Sequence, residues 1–311
     1  MGKDGRSDMT EPGRIAAVGM FDGVHLGHQF LIDFMRREGE ARGLVSTAFT
    51  FSPHPLAVIR PGSHPRLLST VPARRDLLLE AGAAYVEVID FDEETRRLTA
   101  AEFLAMLHDR YNVRALVLGF NNHFGSDRPE GVTPYREIGA TLGVDVVQAP
   151  GYCGGGAPVS SSIIRGRVAA GDVRGAADGL GRPYSLSGDV VGGKQLGRTI
   201  GFPTANIEVE SPDLLIPANG VYACEAVLAD GSSYAAMTNI GQRPTVDAED
   251  APVSIETHLL GYDGNLYGEK LVVRFWERIR DERRFDSVDA LRRQLEDDAA
   301  TTHGMLACYG R

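Results

Sequence analysis

The chain reads VGMFDGVHLGHQFL from Val18 to Leu31, and this stretch decides the fold of its first half. The apolar residues from Ile15 to Val18 are typical of a buried parallel strand, and apolar residues recur at helical spacing after His25. A strand, a glycine-containing turn and a helix N-terminus form an anion site, because unpaired backbone N–H groups and the helix dipole point at one place. His25 and His28 add two side-chain donors one turn apart. The stretch therefore predicts a phosphate-binding turn.

Composition and charge limit the class of protein. The chain has 311 residues, of which 43% are hydrophobic and 24% charged, which is ordinary for a globular protein of two domains. The net charge of -10 argues against a nucleic-acid or membrane-surface partner. Three widely spaced cysteines without metal-ligand spacing favour a reduced, cytoplasmic protein, and no apolar run approaches membrane-spanning length.

Strand and helix patterns alternate from residue 15 to about residue 170. Such alternation predicts a parallel sheet covered by helices, with ligands bound at the carboxyl ends of the strands. Thr99 and Glu102 form a capping box that opens one of the helices. The predicted strands are Ile15–Val18, Val45–Phe51, Tyr85–Ile89, Ala115–Leu118 and Val144–Val147.

Three further segments follow predicted strands. Ser52–Pro55 reads SPHP and is either a rigid turn or part of the site, because its two prolines end the strand before it. Gly119–Gly125 reads GFNNHFG and carries polar side chains where a loop would face a ligand. Ser160–Arg165 opens a short helix. Its serines could act only as caps, whereas Arg165 adds a phosphate-binding guanidinium that capping does not need.

Composition changes after Gly179, and residues 181–183 read as a linker. Beyond it, six short strand patterns bounded by Gly, Pro, Asp or Asn predict a compact antiparallel barrel. Ser287 then caps a final helix, whose apolar stripe we expect to pack on the barrel. The predicted strands are Tyr184–Val191, Phe202–Val209, Val221–Leu228, Ser233–Ile240, Val253–Leu259 and Glu269–Trp276.

A glycine-rich loop lies between the first two of these strands. It reads GGKQLGR from Gly192 to Arg198, and glycines let backbone N–H groups approach phosphates closely. Hairpins also use glycine freely, so the loop alone is weak evidence. The stretch that follows reads GFPTAN and ends at Asn206. We expect the Thr204 hydroxyl and the Asn206 amide on one strand face, where they can share a hard cation with ATP oxygens.

These motifs together resemble one family. The run from His25 to His28 matches the His-x-Gly-His signature of nucleotidylyltransferases, and Gly19–Gln29 resembles the opening of the bacterial bifunctional riboflavin kinase/FAD synthetase family. GFPTAN closely matches the flavokinase signature, and the resemblance runs from about residue 14 to residue 300. It implies an α/β domain of Rossmann-like nucleotidylyltransferase fold, followed by an all-β domain, a six-stranded flavokinase barrel with a terminal helix.

The resemblance implies two reactions. The C-terminal module phosphorylates riboflavin to FMN with ATP. The N-terminal module adenylylates FMN to FAD and releases pyrophosphate, and Mg²⁺ serves the ATP chemistry. The expected partners are the small molecules riboflavin, FMN and ATP. We expect the chain to be a monomer or a weak homo-oligomer. The implied domains are a flexible leader at 1–13, the adenylyltransferase at 14–180 and the riboflavin kinase at 181–311.

The resemblance also assigns site residues. It implies that Glu256 is a general base for the ribityl hydroxyl, although an outward-facing strand carboxylate would look the same in sequence. Arg280 is the one residue of the charge run 277–284 that we expect to contact the flavin. The implied ATP-binding residues of the adenylyltransferase are Gly19, Phe21, Asp22, Gly23, His25, His28, Asn121, Ser161 and Arg165, with His25, His28 and Arg165 catalytic. Those of the kinase are Gly192, Lys194, Gly197, Thr204 and Asn206, the last two also binding the metal.

Three positions depart from the usual pattern of the family. Asn122 replaces an aromatic residue, Ser162 a threonine, and Ile163 a polar or basic residue. One alternative is therefore a monofunctional riboflavin kinase with a degenerate first domain. A second is a flavin-sensing binding protein that has lost turnover, which would bind ligands without consuming ATP.

Overall fold

The structure, a computed structural model, describes residues 12–120, 123–154, 158–193, 196–242 and 253–310. The contacts within the chain divide it into two compact units. The first comprises Met1–Pro65 and Val71–Pro158, and the second comprises Arg66–Thr70 and Val159–Arg311. None of the described helices combines the length and the apolarity that a membrane span requires.

A parallel sheet forms the centre of the first unit. Its strands are β1 Arg14–Val18, β2 Val45–Ser52, β3 Tyr85–Asp90, β4 Val113–Leu118 and β5 Asp145–Gln148, and its helices are α1 Leu26–Arg42, α2 Pro55–Ile59, α3 Val71–Glu80, α4 Glu93–Arg97, α5 Ala100–Tyr111 and α6 Thr133–Leu142. The strands lie in the order β3-β2-β1-β4-β5, with every neighbouring pair parallel. The order reverses between β1 and β4, and sheets of this type bind ligands beyond the carboxyl ends of the strands at such a point.

Apolar side chains cover both faces of this sheet. Successive strand residues point to opposite faces, so Ala16 of β1 belongs to the cluster that includes Phe103 and Tyr135, and Ala17 belongs to the one that includes Ile32 and Leu78. All five predicted strands are confirmed to within two residues. The predicted capping box is confirmed as well, because the Thr99 and Glu102 side chains each accept a hydrogen bond from the other's backbone N–H.

A closed barrel forms the centre of the second unit. The strands of the barrel are β6 Tyr184–Val191, β7 Ala205–Val209, β8 Gly220–Leu228, β9 Ser233–Gln242, β10 Val253–Leu259 and β11 Lys270–Arg280. The helices of the second unit are α7 Ser161–Ala169, α8 Val173–Leu180, α9 Leu196–Thr199 and α10 Val288–Cys308. The strands run in the order β10-β7-β6-β11-β8-β9, each neighbouring pair antiparallel. The predicted six-stranded barrel with its terminal helix is confirmed.

Strand β7 is shorter than predicted, and the difference affects the candidate site. It begins at Ala205 and not at Phe202. Pro203 has no N–H to give to a ladder, and the Phe202 N–H donates to the Gly197 carbonyl at 2.8 Å instead. The prediction that Thr204 and Asn206 lie on one strand was therefore wrong, because Thr204 lies just before β7, while a shared face for their side chains stays a prediction.

Two helices of the middle of the chain belong to the second unit. Helix α8, which the sequence analysis did not predict, packs against α7, β6 and β11. Ile164, Val168, Val173 and Leu180 from these helices join the hydrophobic cluster of the barrel. The predicted boundary after residue 180 stays a prediction, because the division into compact units does not show where each enzyme module of the family ends.

Candidate active sites of the two units

The turn between β1 and α1 has an unusual backbone. Phe21, Gly23 and Val24 have φ values of 50°, 75° and 40°. Residues with a side chain rarely adopt such values, and strained positions of this kind cluster at functional sites, where the surrounding fold holds them. Here the Val24 N–H donates to the Phe21 carbonyl, and Gln29 Nε2 donates to the Val24 carbonyl, both at 2.9 Å. Asp22 is buried within this turn.

His25 is the N-cap of α1. Its Nδ1 accepts a hydrogen bond from the backbone N–H of His28 at 3.3 Å. A ring nitrogen that accepts carries no proton, so this cap selects the neutral His25 tautomer with its proton on Nε2. The two imidazoles stack with centroids 3.6 Å apart, and Phe21 meets His28 edge-on at 5.2 Å. The structure thus brings both predicted histidines together at a helix N-terminus.

The environment of His28 keeps its ring neutral. Burial lowers the pKa of His28 well below its usual value, and the neighbouring His25 acts in the same direction. Nδ1 of His28 is buried, and no group in the described part of the chain forms a hydrogen bond with it. A buried polar atom without a partner costs free energy, so this nitrogen is suited to a partner supplied by a ligand.

Arg74 is a buried cation near the same turn that the sequence analysis missed. Its Nη2 donates to the carbonyl of Phe51 at 2.9 Å, and its Nη1 lies 3.9 Å from Met20 Sδ. Burial lowers the pKa of Arg74, and the Asp22 carboxylate opposes that effect. Arg75, its neighbour in sequence, is exposed. Since adjacent arginines look alike in a helical pattern, only the packing of α3 on the sheet distinguishes them.

The other predicted residues of the adenylyltransferase are distributed differently. Asn121 lies outside the described residues, as does Asn122. Ser161 and Arg165 belong to α7 in the second unit. The helix cap is Ser160, whose Oγ accepts from the backbone of the third residue of α7 at 3.3 Å. Arg165 Nη2 donates to Ser162 Oγ at 3.3 Å, which orients the guanidinium at the start of the helix.

Polar side chains from three neighbouring strands come together on the wall of the barrel. Glu256 of β10 lies directly opposite Asn206 of β7 on one side and Asn239 of β9 on the other. Thr204 Oγ1 donates to Glu256 Oε2 at 3.4 Å. Burial alternates along β10, so Glu256 lies on the face opposite the core residue Ile255. The structure thereby brings Thr204 and Asn206, predicted from the GFPTAN stretch, together with Glu256, which was predicted separately.

The glycines of the neighbouring loop allow close approach. A Cβ added to Gly193 would lie 2.1 Å from Asn206 Nδ2, and one added to Gly197 would lie 2.2 Å from the Phe202 carbonyl oxygen. Gly192 faces open space. Lys194 lies outside the described residues. The loop therefore packs its backbone against the Asn206 side chain, as a phosphate-binding loop beside a polar cluster requires.

A cavity of about 280 Å³ opens beside this cluster. Its size is close to the lower end of small-molecule pockets, and its lining combines two carboxylates, two guanidinium groups, an imidazole and an amide with aromatic and aliphatic side chains. Such a lining suits a largely apolar ligand with a few polar groups. The cavity is lined by Gly197, Ile200, Phe202, Thr204, Val221, Met237, Asn239, Glu256, His258, Arg280, Glu282, Arg283, Phe285, Leu291 and Leu295.

His258 is a cavity residue for which the sequence analysis proposed no role. Its Nδ1 lies 2.7 Å from the Pro203 carbonyl oxygen, and its ring meets Phe202 edge-on at 5.2 Å. Burial lowers the pKa of His258, and the hydrogen bond to Pro203 opposes that effect. A sequence signal was present, since a residue two positions after Glu256 on a strand shares its face.

Two family models match the chain one after the other. A model described as FAD synthetase matches residues 7–163, and a model described as riboflavin kinase matches residues 180–306. A bifunctional riboflavin kinase/FMN adenylyltransferase from Escherichia coli strain K12 is 34% identical over 296 residues, which is 95% of this chain and 93% of the relative. The chain belongs to the bifunctional riboflavin kinase/FMN adenylyltransferase family.

Other relatives agree with this family assignment. The bifunctional riboflavin kinase/FMN adenylyltransferase of Bacillus subtilis is 32% identical over 91% of this chain and 90% of the relative. A crystal structure of a protein from Streptococcus pneumoniae, described as a macrolide-efflux protein, is 32% identical with a TM-score of 0.83 and covers 94% of this chain and 95% of its own. That description applies to the other protein. The likeness shows that a solved structure shares the fold of this chain.

Each of the two candidate sites falls within one of the family matches. The turn with His25 and His28 falls within the FAD synthetase match, and the cluster around Glu256 falls within the riboflavin kinase match. Arg165 lies beyond the end of the first match at residue 163 and before the start of the second at residue 180. The chain therefore carries both enzyme modules of a bifunctional riboflavin kinase/FMN adenylyltransferase, and the alternative with a single activity is not favoured.

Proposed function

We propose that the chain makes FAD from riboflavin in two ATP-dependent steps, with Glu256 and the His25–His28 pair at the centres of the two reactions. The observation that carries this proposal is a separate polar site within each of the two family matches. One is a carboxylate beside a 280 Å³ cavity, and the other is an imidazole pair at a helix N-terminus.

In the kinase step, Glu256 acts as the general base. Its carboxylate lines the cavity, where it accepts the proton of the 5′-hydroxyl of riboflavin as that oxygen attacks the γ-phosphorus of ATP. The new P–O bond gives FMN, and ADP leaves with the bond between the γ-phosphorus and its bridging oxygen broken. Thr204, which donates to Glu256, keeps the carboxylate in place. The Gly192–Gly197 loop supplies backbone N–H groups to the phosphates, together with Lys194.

In the adenylyl step, the residues position charged groups and form no covalent intermediate. A phosphate oxygen of FMN attacks the α-phosphorus of ATP, and pyrophosphate leaves. His25 donates from Nε2, and His28 provides a neutral ring beside it at the positive end of α1. We propose that Ser161 and Arg165 contribute a hydroxyl and a guanidinium that bind phosphate in this step.

The residues near Thr204 fit a magnesium ion. Thr204, Asn206 and Glu256 provide only hydroxyl, amide and carboxylate oxygens, the hard donors that Mg²⁺ prefers. Within the described ranges no group of three His, Cys, Asp or Glu side chains could hold a metal ion by itself. We therefore propose that Thr204 and Asn206 hold Mg²⁺ together with ATP oxygens and water. The ion would neutralise phosphate charge there.

The proposed substrates are riboflavin, FMN and ATP, and we propose that the chain acts in the cytoplasm without a nucleic-acid or membrane partner. A net charge of -10 supports this, because an acidic chain repels phosphate backbones and anionic lipid surfaces. We propose a monomer or weak homo-oligomer. Light scattering of the purified chain over a range of concentrations tests the oligomeric state.

One time course tests both activities. Purified chain is mixed with riboflavin, ATP and Mg²⁺, and the flavins are separated by chromatography. We expect FMN to form first and then to be replaced by FAD. FMN without FAD would support a monofunctional kinase, and no FMN would support a flavin-binding protein without turnover.

Matched variants assign the steps to residues. We expect His28→Ala to stop the reaction at FMN, and Glu256→Gln to slow FMN formation by about 100-fold or more while leaving the adenylylation of added FMN intact. His108→Ala, at a half-buried histidine of α5, and Glu225→Gln, at a barrel carboxylate outside the cavity, are the controls. Equal losses of FMN or FAD formation in a variant and its control would contradict the proposed roles.

A further inference from the structure

The C-terminal helix forms one wall of the cavity. Leu291 and Leu295 of α10 line it, and the helix packs against β8, β9 and β11. Both leucines are only half-buried, and the fully buried side chains of this helix are Asp298, Thr302 and Leu306. Apolar contact is non-directional, so the leucine stripe by itself sets the position of this wall only loosely. A directional contact is needed to fix it.

Asp298 provides such a contact. Arg280, the last residue of β11, donates from Nη2 to Asp298 Oδ2 at 2.7 Å and from Nε to both carboxylate oxygens at 3.0 and 3.1 Å. Gln294 Nε2 donates to Asp298 Oδ1 at 2.6 Å. The Asp298 side chain is 1% exposed and that of Arg280 is 17% exposed. A forked guanidinium–carboxylate contact fixes both distance and orientation.

This contact links the end of β11, helix α10 and the loop that follows β11. Leu295 and Leu291 precede Asp298 by three and seven residues, so they lie on the same face of the helix. Arg280 Nη1 donates to the Asp281 carbonyl at 3.0 Å, at the start of the loop that brings Glu282, Arg283 and Phe285 to the cavity. A shift of the helix at Asp298 therefore moves the two leucines and the loop together.

The far end of α10 has its own attachment. The Tyr309 ring packs on Trp276 with centroids 4.6 Å apart, and Tyr309 Oη donates to Glu277 Oε2 at 3.4 Å. Leu306 is buried in the same part of the helix. Loss of the Asp298 contact would therefore leave the helix docked at its C-terminal end and remove the buried ion pair from its N-terminal half, which carries the cavity wall and keeps the hydrogen bond from Arg283 to Gln294.

We propose that Asp298 is a positioning residue of the kinase site: through Arg280 and Gln294 it holds the N-terminal half of α10 in the position at which the cavity accepts riboflavin. This inference rests on the proposed function only in taking riboflavin as the occupant of the cavity. It also gives Arg280 a role in addition to the flavin contact expected from sequence, because Nε and Nη2 of its guanidinium are bound to Asp298 while Arg280 also lines the cavity.

The test measures KM and kcat for riboflavin in the full-length chain. We expect Asp298→Asn to raise the riboflavin KM about tenfold, because the wall moves, while kcat changes less than about threefold, because Glu256 does not move. The rate at which added FMN is converted to FAD should stay at the wild-type value, which shows that the first unit is intact. A fall in kcat with an unchanged KM would overturn the proposal.

Glu225→Gln is the matched control. It breaks another ion pair of β11, in which Arg274 Nη1 lies 3.2 Å from Glu225 Oε2 with the Glu225 side chain 4% exposed. Neither residue lines the cavity. We expect the riboflavin KM of this variant to stay within about twofold of wild type. A rise equal to that of Asp298→Asn would show a general effect of breaking barrel ion pairs and would overturn the proposal.

Two further variants cover the remaining outcomes. Gln294→Met keeps the ion pair and removes the hydrogen bonds of Gln294 with Asp298 and with Arg283, so it should fold and raise the riboflavin KM about threefold. If Asp298→Asn does not fold, the riboflavin KM of Gln294→Met becomes the test. An unchanged KM in that variant would then overturn the proposal. The double variant with Arg280→Gln and Asp298→Asn should raise the riboflavin KM no more than either substitution alone, because both act through one contact. If the wild-type chain makes no FMN, the proposed function fails, and not this inference.

Discussion

Burial changes the chemistry of His28. Its pKa lies well below the usual value, with burial as the main cause and His25 as the second. The unfolded chain has an ordinary histidine pKa of about 6.5. Between the two values the unfolded state therefore binds more protons than the folded state, so the free energy of unfolding falls as the pH falls through that window.

We expect this pH dependence to be measurable. Below about pH 6.5 the free energy of unfolding should fall by up to about 1.4 kcal/mol per pH unit on account of His28 alone. His28→Asn should remove that contribution. Urea unfolding at about pH 7.5 and about pH 5.5 compares the two proteins. His303→Asn, at an exposed position of α10, is the control and should keep the wild-type dependence. The same dependence in His28→Asn and wild type would contradict the assignment.

At the scale of secondary structure, the stability of α10 depends on the hydrogen bonds at its ends. The helix has 21 residues, of which three are buried, so its own terminal hydrogen bonds contribute more to its stability than in a deeply packed helix. Ser287 is the N-cap, and its Oγ accepts from the Ala290 N–H at 3.1 Å. This cap lies immediately before the turn that carries Leu291 to the cavity.

We therefore expect Ser287→Ala to destabilise the second unit by about 1 kcal/mol, the usual cost of losing a serine cap. Ser287→Thr keeps the hydroxyl and should lose only a small part of this free energy of unfolding. Urea unfolding midpoints of the three proteins measure the difference. Equal losses in both variants would show that the serine contributes through something other than its hydrogen bond.

At the scale of the whole molecule, the chain consists of two units that each have their own core. The sheet of the first is covered by two apolar clusters, and the barrel of the second encloses another. The candidate residues His28 and Glu256 lie in different units. FMN, the proposed product of one unit and substrate of the other, is a soluble small molecule.

Two defective chains should therefore complement each other. We expect His28→Ala to make FMN without FAD and Glu256→Gln to make little FMN, whereas an equimolar mixture of the two should convert riboflavin to FAD. The free FMN made by one chain supplies the other. Chromatography of the flavins over time measures the outcome. A mixture that accumulates FMN without FAD would show that FMN cannot pass between chains or that Glu256→Gln also damages adenylylation.

Much of the fold could be predicted because its signals are local. The five parallel strands and the six barrel strands follow from runs of apolar residues and from the glycines and prolines between them. Helix α8 was missed, because its short pattern stands next to the glycines that suggest a linker. Strand β7 was predicted too long, since the hydrogen bond from Phe202 to Gly197 is not visible in a strand pattern.

The sequence by itself determined the order of elements, the histidine turn and the glycine-rich loop, because a few neighbouring residues carry each of these signals. Only the tertiary structure decided which distant groups meet. Thr204 and Glu256 are 52 residues apart, and the pairing of β7 with β10 brings them together. Burial of Arg74 and the contact of Arg280 with Asp298 likewise depend on how elements pack, and a residue's own neighbours in sequence do not encode that.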